Sequence, residues 1–278
     1  MPARSNRLLV AAGATAATVA GIWAVTRARQ RSADPATRDR ESYPPREMPK
    51  SIAADVWIVD GGPMIAMGLH LPIRMTIFRL PNGDLLLHSP IEYSPELGDR
   101  VAALGTVRHL VAPNIAHWTF TAAWQQAYPE TTVWGVPGLR DKAQVKASDL
   151  RIDADLGDVA PPAWDGVINQ GIIAGAGGFT EAWFFHRPTR TLVLVDLIEN
   201  LEPDKLPPVT RLVMQASAAT RGTTATYLRL PVRFGGEDAK QAVRALATLD
   251  PERVVFAHGR IFDTDGAARL KRAFAWLK

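Results

Sequence analysis

The chain has 278 residues, is 47% hydrophobic and 22% charged, and contains no cysteine. That composition supports one domain of ordinary size with a sizeable core, and it excludes global disorder, a disulfide framework and any thiolate metal site. The net charge of +4 is not a nucleic-acid signature: residues 1–50 hold nine Lys and Arg against four Asp and Glu, the remainder 23 against 24, and phosphate binding needs cations clustered in the folded part.

The first element is an uncharged stretch, Leu8 to Thr26, bordered by Arg4 and Arg7 on one side and by Arg27, Arg29 and Arg31 on the other. Its length is close to the roughly 20 residues that span a bilayer. Residues 1–29 therefore read as a single-pass N-terminal membrane anchor that engages the membrane through residues 8–26, with Trp23 suited to the interface. A cleaved signal peptide and an exported body form the alternative, although no good A-x-A site precedes the arginines. A soluble helix is the third reading. Residues 30–50 are polar, charged and Pro-bearing and read as a flexible linker; residues 51–278 form the body.

Within the body, Asp55–Val59 alternates and reads as a strand. Ile73–Arg79 and Asp84–His88 flank Pro81-Asn82-Gly83, a strong hairpin signal. Ser94–Leu104 reads as a helix, with Ser94 as cap, Pro95 in the first turn and Gly105 as the stop. A strand at Val107–Val111, a helix at Ile115–Tyr128 and a strand at Thr132–Val136 follow. This alternation predicts a layered α/β domain. In the second half, Ile168–Ile173, Ala182–Phe185, Thr191–Val195 and Arg253–Ala257 read as strands, and Gly236–Leu249 and Gly266–Lys278 as helices. Residues 201–235 resist assignment and are expected to be a helical insertion or lid.

Three residues stand at or just beyond the C-terminal ends of apolar strands: His117 in LVAPNIAHW, Asp196 in TLVLVDLIEN and His258 in RVVFAHGR. Strand ends are where sites collect in α/β folds, and two imidazoles with one carboxylate make a three-ligand metal face with positions open for water. Each residue also has a plain structural role open to it: a hydrogen-bonded helix start for His117, a cap for Asp196, a strand-end turn for His258. Asn114 suits an N-cap. His88 and His186 suit structural roles, and Glu181 a solvated charge or a pair with Arg187 or Arg190.

The phrases LLLHSPIEYSPEL, LVAPNIAHW, EAWFFHRPTRTLVLVDL and VVFAHG, in that order and spacing, resemble the metallo-β-lactamase superfamily and, more narrowly, an uncharacterised family near it. The resemblance covers roughly Asp55 to the C-terminus. It implies an αββα four-layer sandwich, preceded here by the N-terminal hydrophobic segment. Laid on this chain, the ligands of the superfamily's T-H-x-H-x-D-H motif fall on Ala112, Asn114, Ala116 and His117, and its G-H-T histidine on Phe179. The bridging aspartate falls on Asp196 and the terminal histidine on His258. One metal position thus keeps little beyond Asp196, whereas the other keeps His117, Asp196 and His258, with His88, Glu181 or His186 as candidates for a fourth ligand.

The resemblance implies a single-metal hydrolase carrying one Zn or Fe ion and acting on a small-molecule substrate. Asp196 is the candidate catalytic residue, as ligand or as general base. Two other expectations stand beside it: a binding or scaffold domain that kept the fold and holds no metal, and a non-haem-iron redox protein. No nucleic-acid partner is expected.

Overall fold

The computed structural model describes residues 35–277. The stretch 8–26, read as a membrane anchor, lies outside the described residues. Among those described, no helix is long and apolar enough to cross a membrane.

The described residues contain thirteen strands in three sheets. The larger sheet contains β1 (Lys50–Ala53), β2 (Val56–Asp60), β5 (Arg74–Arg79), β6 (Asp84–His88), β7 (Thr106–Ala112), β8 (Thr132–Gly135) and β9 (Ala154–Asp155), in the order β1-β2-β5-β6-β7-β8-β9. Its pairs are antiparallel through β6 and parallel from β6 onward. The second sheet contains β10 (Ile168–Ala174), β11 (Thr180–His186), β12 (Thr191–Val193) and β13 (Arg253–Val255) in sequence order, with only β12 and β13 parallel. A small hairpin, β3 (Met64–Ala66) and β4 (Leu69–Leu71), stands apart.

Alternation along the strands explains the layering. Successive side chains point to opposite faces. In the second sheet Ala182, Phe184, Val193 and Val255 join the core shared with the larger sheet, whereas Phe185, Leu192 and Val254 join a second core under the C-terminal helices. The first core also takes Leu97 and Val101 from α2 (Pro95–Ala102) and Trp124 from α3 (Thr121–Ala127), which cover the larger sheet. The second core takes residues from α5 (Pro208–Ala216), α6 (Thr226–Phe234), α7 (Gly236–Leu246) and α8 (Gly266–Ala273). The result is helix, sheet, sheet, helix: the expected αββα sandwich.

The hairpin at Asn82-Gly83 forms as expected, with Gly83 at φ +85°. Ser94 caps α2 by accepting from Leu97 N–H. Two expectations need correction. The helix expected over Ile115–Tyr128 begins only at Thr121, because the Asn114 side chain takes the N–H groups of Ala116 and His117 and holds them in a turn. The linker expected over 30–50 belongs to the fold from α1 (Pro35–Arg40) onward. Glu41 and Ser42 are buried there, Glu41 meets His70 at 2.7 Å, and Lys50 pairs with buried Asp60 at 2.5 Å. Residues 201–235 are helical, as expected of an insertion, and form α5 and α6 with connecting turns. A short helix, α4 (Ala143–Lys146), lies between β8 and β9.

Candidate metal centre

The site sits where β6 and β7 of the larger sheet end and where the second sheet hands β12 and β13 on to their loops. Asn114 stands two residues past the end of β7 and seven before α3 begins at Thr121, and the Asx-type turn at Asn114 fixes His117 in space. Asp196 follows β12 and His258 follows β13, parallel neighbours whose register Val193↔Val255 brings their following loops side by side.

The three side chains converge. His117 Nε2 and His258 Nε2 both lie 3.1 Å from the same oxygen, Asp196 Oδ1. One donor atom from each residue lies within 4.8 Å of the other two, and the two rings are 5.2 Å apart. Ligands at about 2.1 Å in tetrahedral geometry stand about 3.4 Å apart, so the donor set fits a single metal with minor adjustment.

Outer contacts orient each donor. His258 donates from Nδ1 to the Pro72 carbonyl at 2.7 Å, and His117 Nδ1 meets Ser89 Oγ at 2.7 Å. Both rings therefore turn Nε2 toward the site, the arrangement that metal-binding histidines require. Buried Arg74 on β5 donates to the carbonyls of Phe256 and Gly259 at 3.0 and 2.7 Å, bracketing His258, and pairs with Asp60 at 2.7 Å. Gly259, at φ +101°, approaches the Asn200 backbone so closely that a side chain there would collide with it.

Asn114 and Glu181 meet the site in another way. Asn114 donates from Nδ2 to Asp196 Oδ2 at 2.5 Å, while its Oδ1 accepts from Ala116 and His117 N–H at 2.8 Å each. Two backbone donors fix the amide orientation, which leaves no free oxygen for a metal. Glu181 is fully buried and accepts from Val195 N–H at 2.9 Å and from Asp196 and Leu197 N–H at 3.0 Å each. It is neither a solvated charge nor a partner of Arg187 or Arg190; it clamps the loop that carries Asp196. Phe179 is packed into the second core. The Asn114 amide and the Glu181 clamp thus take up the polar contacts around Asp196 on that side.

His88 is buried at the end of β6, edge-on to Phe184 with ring centres 5.0 Å apart, and its Nε2 has no hydrogen-bond partner. His186 ends β11 and meets Thr189 Oγ1 at 2.8 Å. Glu181 lies five residues earlier on the same strand, so His186 is about 17 Å along the strand from it. The structure does not bring His186 to the site.

Burial opposes ionisation of Asp196, but the charge and hydrogen bond of His117, then the hydrogen bond of His258, hold its carboxyl well below the usual range. Burial likewise opposes protonation of His258, and Asp196 and Glu199 outweigh it, so its pKa is raised. Burial, then the Asp196 charge, raises Glu181, against the pull of its three N–H donors. Burial and then the neighbouring His117 push His88 down to about 3. Glu199 is pushed up to about 7, chiefly by burial; Tyr227 of α6 donates to both its oxygens at 2.6 and 2.8 Å.

Ser89, Arg74 and Glu199 are contributors that sequence reasoning passes over. Ser89 was legible as the polar residue at the end of β6. Arg74 and Glu199 gave no signal, because an isolated charge in an apolar context does not name its partner. The space over His117 is a cavity of about 20 Å³ bordered by Met64, Ile73, Ser89, Ile91 and Phe120, room for a single water.

Residues 53–142 match the family described as Domain of unknown function (DUF4336). No curated protein matches the chain by sequence. Solved metallo-β-lactamases share the fold. The enzyme from Pontibacter korlensis is 15% identical, with a TM-score of 0.58, and the match covers 82% of this chain and 97% of that one. FIM-1 from Pseudomonas aeruginosa, in its mono-zinc form, is 11% identical with a TM-score of 0.58, covering 83% and 93%. The enzyme from Erythrobacter litoralis is 13% identical with a TM-score of 0.58, covering 82% and 95%. At these identities the likeness establishes the metallo-β-lactamase fold.

Proposed function

We propose that this protein is a metal-dependent hydrolase of a small molecule, holding one Zn²⁺ or Fe²⁺ through His117, Asp196 and His258 and tethered to a membrane through residues 8–26. The observation that carries the reading is the pair of imidazole Nε2 atoms, each 3.1 Å from one buried carboxylate oxygen. Solved relatives of the fold support it, one of them described in a mono-zinc form.

The bound ion would supply a Lewis acid that polarises a scissile carbonyl or phosphoryl group and makes water a nucleophile near neutral pH. The chain's own residues prepare that chemistry. Asp196 stays ionised because its pKa is held low, which suits a ligand and makes it a weak general base. Pro72 and Ser89 fix the two rings, and Asn114 occupies the second oxygen of Asp196. Met64, Ile73 and Phe120 line the small recess beside His117, and its volume of about 20 Å³ holds a single water; a larger substrate needs these side chains to move. A metal held by His117, Asp196 and His258 would take the place of the proton between His258 and Asp196, so its affinity would rise with pH.

The small size of that recess also favours a second reading, a binding domain that kept the fold and performs no turnover. Hydrolysis of a panel of chromogenic esters, phosphodiesters and lactams by the metal-loaded chain separates the two. The hydrolase reading expects an activity that falls at least about 100-fold in Asp196→Asn and in His258→Ala. No turnover on any substrate class, with metal bound, favours the binding domain.

A further inference from the structure

Five of the eight large hydrophobic side chains left exposed among the described residues lie on α5 and α6: Val209, Leu212, Val213, Leu230 and Phe234. Leu212 is 70% exposed and Phe234 76%. Each helix is two-faced. On α5, Thr210 and Met214 point inward while 209, 212 and 213 point outward; on α6, Leu228, Pro231 and Val232 are buried while 230 and 234 face out.

Between Asp204 and Glu237 the charges have one sign; Glu237 and Asp238 follow Phe234 by three and four residues. Residues 205–236 contain Lys205, Arg211, Arg221, Arg229 and Arg233 and no Asp or Glu. Among the described residues, the contacts of Arg211, Arg229 and Arg233 are to carbonyl oxygens, a hydroxyl and the Trp276 ring rather than to carboxylates. The arginines also crowd: burial, then Arg233 and Arg221, lower the pKa of Arg229. Next to Phe234, a recess of about 280 Å³ is lined by Arg233, Lys240, Arg244 and Trp276, with Glu237 pairing to Lys240 and Arg244 at one side.

We propose that α5 and α6 form a docking face for an anionic phospholipid bilayer, with Leu212 and Phe234 entering the acyl boundary and the arginines meeting lipid phosphates. Apolar residues flanked by unneutralised arginines are what an anionic interface selects. A second copy of the chain fits poorly, because an isologous contact would bring the two sets of arginines together. The uncharged stretch 8–26 fits poorly too, because it offers the arginines no counter-charge. The inference does not depend on the metal reading, and it does not need residues 8–26 to be an anchor. Tyr227 ties α6 to Glu199, three residues beyond Asp196, so the docking face and the candidate metal centre share one loop.

The full chain has no cysteine, so single labels are specific. Leu212→Cys, Phe234→Cys and, as control, Glu130→Cys on the far side would each carry an environment-sensitive fluorophore. Vesicles of phosphatidylglycerol with phosphatidylcholine, or of phosphatidylcholine alone, would contain lipids with nitroxide on the acyl chain. Co-flotation would not separate the docking face from an anchor at residues 8–26, so label depth is the readout. The expected result is a blue shift and nitroxide quenching at 212 and 234 on anionic vesicles, reversed by high salt and absent at 130. Arg211→Gln and Arg221→Gln should each weaken docking about fivefold. Labels at 212 and 234 that stay as solvated as the label at 130 would overturn the proposal. So would labels already shielded without vesicles, which would assign the face to a second copy or to the chain's own N-terminal segment.

Discussion

Replacing Glu181 with Ala takes away the acceptor of three buried N–H groups, those of Val195, Asp196 and Leu197. Each orphaned donor costs about 1–3 kcal/mol. The wild type already bears the cost of burying a carboxylate, which offsets part of that sum, so the net loss should be about 3–5 kcal/mol, as for other broken buried charge networks. Glu181→Gln is milder. Its amide oxygen can serve Asp196 and Leu197 N–H, but its amide nitrogen then faces Val195 N–H, a donor against a donor, for about 1–3 kcal/mol. Urea denaturation near pH 7.5, followed by the fluorescence of the eight tryptophans, measures both, provided the slope with denaturant is unchanged. Because the clamped loop carries Asp196, both variants should also bind Zn²⁺ about 10–100-fold more weakly. A Glu181→Ala protein within about 1 kcal/mol of wild type would refute the clamp.

Other consequences follow from the same contacts. His88 has a folded pKa of about 3 against an unfolded value near 6.5. Stability is therefore full above pH 6.5 and falls as pH drops toward 3, by about 2 kcal/mol between pH 6.5 and 5. His88→Leu should flatten that limb in acid denaturation curves. Arg74→Met should cost about 3–5 kcal/mol in the same urea assay, because it leaves Asp60 buried with only Lys50 and frees the Phe256 and Gly259 carbonyls.

The layers of this fold are legible because strand alternation and turn chemistry act locally. Asn82-Gly83 forces a hairpin whatever surrounds it, and Ser94-Pro95 starts α2 through its own atoms. The candidate site is legible to the same depth: His117, Asp196 and His258 stand at strand ends and meet in space. What surrounds them is not. Glu181 looks like a charge at the start of a strand, yet its partners are backbone N–H groups 14 to 16 residues away, and a backbone donor has no residue identity to read. The helix expected from Ile115 fails for a related reason. A side-chain oxygen at Asn114 competes for two N–H groups and wins against helix propensity. Residues 201–235 resist periodicity because α5 and α6 carry apolar side chains on both faces, so no single stripe stands out.

Metal content tests the central claim most directly. The full chain, stripped with chelator and reloaded separately with Zn²⁺ and Fe²⁺, should retain about one equivalent after gel filtration, and a variant with Ala at 117, 196 and 258 should retain none. Less than about a tenth of an equivalent of either metal in the wild-type chain would contradict the account, and would leave the two histidines as partners of a buried carboxylate rather than of an ion.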